Sequence, residues 1–203
     1  MSKEIGWNPL YDEGVRLLAE SSGFSGIRVN LQTPTEYDCP SPQSYFNFYL
    51  GFNENAGKNP GRQIETGISY SAQGWQGFIN NSGKETASAK LKVEKGALIR
   101  LELTIVGKNV RLMIGTTPLS SPFSLSAGAP KMIIALAESH RNLKDRKTWF
   151  DKAAMTCTEI RIGNQWQCPT SDKIAFETKK IDQKLIISTT TAYSVSAVMN
   201  KPS

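Results

Sequence analysis

The chain has 203 residues, a net charge of +6 and a hydrophobic fraction of 39%, with 4 tryptophans, 6 tyrosines and 8 phenylalanines to fill a core. Its 16 glycines and 10 prolines are near average usage, which excludes collagen-like and disordered classes, and no apolar run reaches the roughly 18 residues of a membrane span. Three cysteines without a Cys-x-x-Cys pair give no support for a zinc site.

A length of this size suits one β domain, so residues 1–203 are read as a single unit with its core at about 24–198. The opening MSKEIGWNPL has no apolar stretch after its lysine and is not a secretory signal. Gly14–Glu20 reads as a helical turn or a short edge strand. Phe24–Gln32 places Ile27, Val29 and Leu31 on one side and Arg28 and Asn30 on the other, the period of a half-buried strand. Thr33–Gln43 carries three prolines and is expected to be a long loop, because proline gives no ladder N–H. Ser44–Phe52 and Arg62–Ser71 alternate again, the second with Ile64, Thr66, Ile68 and Tyr70 on one face and Glu65, Gly67 and Ser69 on the other. The Asn-rich segment 53–61 between them is a turn by composition. Its Asn53, Glu54, Asn55 and Asn59 could offer oxygen ligands to calcium, but a plain turn explains them, and no metal or cofactor is expected.

Trp75–Asn80 returns the chain, and Asn81–Ser88 is expected to be a polar connection. Lys90–Val93 begins a strand that Leu98–Val106 continues, with Ile99, Leu101, Leu103 and Ile105 inward. A glycine turn at 107–109 leads back through Val110–Ile114, the strongest hairpin signal in the chain. Gly115–Gly128 reads as a Ser/Pro-rich connection, Lys131–Glu138 as an apolar strand, and Ala153–Ile162 and Gln165–Gln167 as strands flanking Gly163-Asn164. Residues 169–183 are ambiguous, and Lys184–Ala197 forms one strand or two in sequence. About ten short strands with turn signals between them predict an all-β, antiparallel two-sheet β-sandwich of the jelly-roll kind.

The run FYLGF, QIETGISYS, GWQGFIN and LIRLELTIVGKNVRLMI resembles the concanavalin A-like lectin/glucanase superfamily, including its laminin-G-like jelly rolls. The residues that carry the likeness are Glu65, Gly67, Tyr70, Trp75 and the hairpin Leu101–Ile114, over about residues 24–162. The resemblance implies a concanavalin A-like sandwich and a saccharide ligand, but such a fold hosts lectins, hydrolases, lyases and adhesion modules alike.

Catalytic signatures are sparse. The single histidine, His140, excludes a His-Glu-x-x-His zinc site, and no Gly-x-Ser-x-Gly elbow occurs. No strand sets two carboxylates at alternate positions, the simplest source of the roughly 5 Å pair of a retaining hydrolase. Gln63-Ile64-Glu65 is similar to the Gln-Ile-His of alginate lyases with the histidine replaced. The expectation is therefore a noncatalytic, lectin-like protein, secreted or at the cell surface, with a shallow site of Glu65, Tyr70, Trp75 and Gln76 flanked by Arg141 and Trp149. Its partner would be an oligo- or polysaccharide. The basic stretch 140–152, with Arg141, Lys144, Arg146, Lys147 and Lys152 against Asp145 and Asp151, admits an anionic one. A polysaccharide lyase or glycoside hydrolase of the same fold is the alternative, and a protein-binding adhesion module a second. Nucleic acid is not expected, since the positive charge forms no stripe with interleaved aromatics.

Overall fold

A computed structural model describes residues 14–20, 23–53, 63–82, 84–123, 131–138, 147–169, 174–179, 185–190 and 194–201. These hold sixteen strands and no helix. The strands are β1 (Gly14–Glu20), β2 (Phe24–Gln32), β3 (Tyr37–Asp38), β4 (Tyr45–Asn53), β5 (Gln63–Ser71), β6 (Gly74–Asn81), β7 (Lys84–Lys90) and β8 (Leu98–Val106). They continue as β9 (Asn109–Ile114), β10 (Thr117–Pro122), β11 (Lys131–Glu138), β12 (Trp149–Ile162), β13 (Gln165–Gln167), β14 (Ile174–Lys179), β15 (Leu185–Thr190) and β16 (Val195–Met199).

They form two sheets. One has seven strands in the order β14-β1-β11-β4-β5-β6-β7. The other has nine, in the order β10-β9-β8-β2-β12-β16-β15, with β3 and β13 also on β12. Neighbours pair antiparallel throughout, as in β4 with β5 and β2 with β8. The all-β, two-sheet antiparallel sandwich expected from the alternation is thus the observed architecture.

Differences from the sequence reading arise where composition and strand position conflict. Gly14–Glu20 is an interior strand, paired on one side with β11 and on the other with β14. The segment expected to be a polar connection after Asn81 contains β7, which pairs along β6 and ends the sheet. An edge strand buries little, so it can be polar, and its lysines discourage further pairing. The Ser/Pro-rich connection after Ile114 contains β10, the edge of the other sheet, where Pro118 and Pro122 need give no hydrogen bond outward. Leu91 and Val93 pack against the core, but not as a strand.

The core lies between the sheets. Phe46, Phe48, Leu50 and Phe52 of β4 and Ile64 and Ile68 of β5 are fully buried, facing Ile27, Val29 and Leu31 of β2 and Leu101 and Leu103 of β8. Each such side chain contributes about 1.5–3 kcal/mol by leaving water. The register is therefore strongly specified, since a one-residue slip would expose a whole row. Strand β12 departs from strict alternation. Phe150, Ala153, Met155, Thr158 and Ile160 are buried, and the pairing with β2 shifts between Thr156 and Glu159. Cys157 sits inside that shift with φ of 53° and stays exposed. The extra residue re-aims the strand, so that the residues on both sides of it reach the core.

The loop from Thr33 to Glu36 is tied down at both ends. Thr33 N–H donates to Ala97 O at 2.9 Å, and Asp151 N–H donates to Glu36 O at 2.9 Å. The Asp151 carboxylate accepts from Thr35 N–H at 3.0 Å, from the Thr35 hydroxyl, and from Lys152 N–H at 2.7 Å. Burial alone would push this carboxyl up, but the hydrogen bonds outweigh it and hold it below its ordinary value. A lowered folded-state value means stability that is present above the unfolded carboxylate range and is lost as pH falls through the folded value. Asp151→Asn should therefore lower the urea midpoint at neutral pH, and the gap from wild type should close as the pH is taken down to about 2. A gap that stays constant with pH would mean that the charge has no part in holding this loop.

Candidate functional site

Residues directly opposite in an antiparallel pair share a face. On β4, β5 and β6 one parity, including Phe46, Phe48, Ile64, Ile68, Tyr70 and Trp75, belongs to the core side. The other parity turns away from the core. It carries Tyr45, Asn47, Tyr49 and Gly51 on β4, Gln63, Glu65, Gly67, Ser69 and Ser71 on β5, and Gln76, Phe78 and Asn80 on β6. Strand β7 adds Glu85 opposite Asn80 and Ser88 opposite Phe78.

A depression of about 310 Å³ opens on this outer face. It is lined by Tyr45, Asn47, Ser69, Ser71, Gln76, Phe78, Asn80 and Glu85. Its chemistry is hydroxyl and amide groups, the Glu85 carboxylate and two aromatic rings. Gln76 Nε2 donates to Glu85 Oε2 at 2.9 Å, and Gln63 Nε2 donates to Glu65 Oε1 on the neighbouring strand. Both carboxylates are thereby presented as hydrogen-bond acceptors.

Glycines shape the sheet beside it. Gly67 lies in register between Tyr49 and Phe78. A Cβ there would overlap the Phe48 carbonyl oxygen and come within 2.7 Å of Tyr49 Cα. Tyr49 is only 1% exposed although its parity is the outer one. The missing side chain at 67 is what allows β4 and β5 to approach so closely.

The residues expected from sequence to form one site do not share a surface. Glu65 and Gln76 lie on the outer face, Gln76 in the lining and Glu65 in register with Asn80. Trp75 faces the core and is 7% exposed, with its indole N–H donating to Tyr37 Oη at 2.9 Å. Tyr70 is packed 5.1 Å from Trp75 and 4.6 Å from Tyr37, ring centre to ring centre. Burial, then the nearby Tyr37, Asp38 and Cys39, push its phenol above the ordinary value, so it makes a poor base for a lyase. The correction has a simple cause. Trp75 follows a tight turn, but its register partner is Tyr70, and both share the parity of Phe46 and Phe48. Trp149 lies on the other sheet, half-buried, with Lys201 Nζ 5.0 Å over its ring. Arg141 lies outside the described residues.

Tyr45, Asn47, Ser69, Ser71, Phe78, Asn80 and Glu85 were not assigned to a ligand site from sequence. Alternation gives their parity, but only the pairing of β5, β6 and β7 brings them to one place.

The outer face of the nine-stranded sheet has a different character. Arg28 holds Glu159 through Nε to Oε2 at 2.7 Å and Nη2 to Oε1 at 3.0 Å, with Arg100 at 3.6 Å from the same carboxylate. The Arg28 guanidinium also stacks 4.3 Å from the Trp166 ring centre. The hydrogen bond to Glu159 pushes Arg28 up, and the same bond pulls Glu159 down. These charges satisfy each other, and the Arg28 guanidinium lies over a half-buried Trp166.

No protein-family model and no curated protein sequence matches the chain. Solved structures do. Scytalido-glutamic peptidase, bound to a transition state analog inhibitor, aligns over 93% of this chain and 98% of its own at a TM-score of 0.66 and 12% identity. SCP-B, a member of the eqolisin family of peptidases in complex with the tripeptide Ala-Ile-His, aligns over 94% and 98% at a TM-score of 0.62 and 12% identity. The likeness at this identity is one of fold, and it spans most of the chain. Chicken galectin 2 aligns more loosely, over 75% of this chain and 98% of its own, at a TM-score of 0.42 and 7% identity.

Proposed function

We propose that this protein is a noncatalytic carbohydrate-binding β-sandwich whose ligand lies in the depression on the outer face of the seven-stranded sheet. The observation that carries the reading is the lining. Amide groups of Asn47, Gln76 and Asn80 and hydroxyls of Ser69 and Ser71 converge on one space, with Phe78 and Tyr45 supplying rings. Side-chain amides both donate and accept, as sugar hydroxyls do, and an aromatic ring offers a flat apolar surface to the C–H face of a pyranose. The two glutamates flanking Asn80 stand on β5 and β7, two strand spacings or about 10 Å apart at the backbone.

Isothermal titration against a panel of oligosaccharides tests this. Asn80→Ala and Gln76→Ala should each weaken binding about tenfold, the cost of one or two good hydrogen bonds, with an unchanged circular dichroism spectrum. Trp75→Phe should leave affinity within about twofold, because the ring faces the core. Loss of saccharide binding in Trp75→Phe but not in Asn80→Ala would move the site elsewhere.

A second reading is favoured by the full-length likeness to peptidases bound to peptide-like molecules: the same groove would hold an extended peptide. Titration with unstructured peptides, and incubation with a denatured protein over a range of pH, separates the two. Cleavage that disappears in Glu65→Gln would replace the carbohydrate reading with a hydrolytic one.

A further inference from the structure

The three cysteines are free thiols, Cys39 buried and Cys157 and Cys168 exposed. Cys39 sits apart from the other two. Its neighbour Asp38 is in register with Trp149 at the start of β12, and Thr148 Oγ1 donates to its sulfur at 3.5 Å. Cys157 lies roughly 25 Å further along the same strand, beyond the reach of a bond to Cys39.

Cys157 and Cys168 are placed differently. Ile160 of β12 is in register with Gln167 of β13, and Cys168 follows Gln167. The two strands are antiparallel, so Cys168 runs back toward Cys157. The bulge shortens the remaining gap, because the three steps from Thr156 to Glu159 on β12 match only the two from Asn30 to Arg28 on β2. Cys157 therefore stands about one residue step from the level of Cys168 along the strand and one strand spacing across, roughly 6 Å between Cα positions. A disulfide spans about 4.4–6.8 Å between the same atoms. The left-handed backbone at Cys157, with φ of 53°, takes its side chain out of the inward alternation and leaves it exposed. Strand β13 is the element that a bond here would hold. It is three residues long and joins the sheet through β12. Its further ties among the described residues include the Trp166 ring against Arg28, and Ser25 Oγ donating to Gly163 O at 3.1 Å.

We infer that Cys157 and Cys168 are an oxidisable pair that closes into an intramolecular disulfide and fastens β13 to the bulge of β12, while Cys39 remains a thiol. The oxidant is a low-molecular-weight disulfide. One protein thiolate attacks a sulfur of that reagent and releases one half of it as a thiol, leaving a mixed disulfide. The second protein thiolate then displaces the other half. The two cysteines lose two protons and two electrons, and the reagent gains them. The closed bond encircles residues 158–167 and restricts the unfolded chain, so the oxidised form is the more stable one. The pair stays open in a reducing compartment and closes in an oxidising one. It lies on the sheet opposite the groove, so its closure does not depend on what the groove holds.

The test is incubation of the whole chain with oxidised glutathione, followed by intact mass, thiol titration in denaturant and non-reducing peptide mapping. The wild type should lose the mass of two hydrogens, and its titratable thiols should fall from three to one. The map should join the peptide holding Cys157 to the one holding Cys168. Cys157→Ser and Cys168→Ser should each retain one glutathione as a mixed disulfide instead. Oxidation should raise the urea midpoint of the wild type and leave that of Cys157→Ser unchanged. A wild type that carries glutathione on both exposed cysteines without closing would overturn the inference. So would dimers linked through either cysteine, a bond that includes Cys39, or an oxidised form no more stable than the reduced one.

Discussion

Gly67→Ala is expected to destabilise the protein by about 3 kcal/mol or more, at the top of the range for overpacking and among the larger single-residue effects. The methyl group would have to occupy space held by backbone. It would overlap the Phe48 carbonyl oxygen and lie 2.7 Å from Tyr49 Cα and 2.9 Å from Tyr49 Cβ. None of these atoms is the end of a flexible side chain, so relief requires β4 and β5 to separate. That separation would break a nine-residue ladder running from Tyr45 opposite Ser71 to Asn53 opposite Gln63. Gly107→Ala is the control. Gly107 has φ of 61° in the β8–β9 turn and nothing near its added Cβ, so only backbone strain of about 1 kcal/mol is expected. Urea unfolding monitored by circular dichroism measures both. A Gly67→Ala variant no less stable than Gly107→Ala would show that the two strands do not approach as closely as described. The same experiment bears on the groove, because Gly67 is in register with Phe78, one of its lining residues.

Trp75→Ala should cost about 3–5 kcal/mol, the usual range for deleting a buried aromatic side chain. The ring centre lies 5.6 Å from Phe46, 6.2 Å from Phe48, 5.4 Å from Tyr37 and 5.1 Å from Tyr70, so truncation leaves a void lined by aromatic carbon. It also removes the donor to Tyr37 Oη. Trp75→Phe keeps much of the volume and loses that hydrogen bond, so a smaller loss of about 1–2 kcal/mol is expected. The two variants, unfolded in urea, divide the residue's role between packing and the indole N–H. If Trp75→Ala were nearly neutral in stability and yet abolished saccharide binding, the residue would belong to a ligand site and the core assignment would fail.

The legible and illegible parts of the molecule can be compared strand by strand. Strands β2, β4, β5, β8 and β9 were readable because each buries one face of alternating large apolar residues. Strands β7 and β10 were not, because an edge strand pairs on one side only and makes few demands on composition. KETASAK and TPLSSP look like connections for that reason. The shift in β12 was invisible as well. Cys157 takes a positive φ without being glycine, and nothing in TCTEI announces it. The residues of the depression were legible only in part. Gln76 lies in the lining and Glu65 on the same outer face, while Trp75 was drawn toward the ligand by its place after a turn, although parity already tied it to Tyr70.

Alternation along the chain, with turn signals between short strands and no long helical pattern, pointed to layered antiparallel strands, because a side-chain period of two buries one face at a time. Which outward residues meet was decided by the tertiary structure. Asn80 is placed between Glu65 and Glu85, and Ser69 beside Gln76, by inter-strand register. Register depends on hydrogen bonds between segments and on the close approach that Gly67 permits, and neither is a property of any one segment.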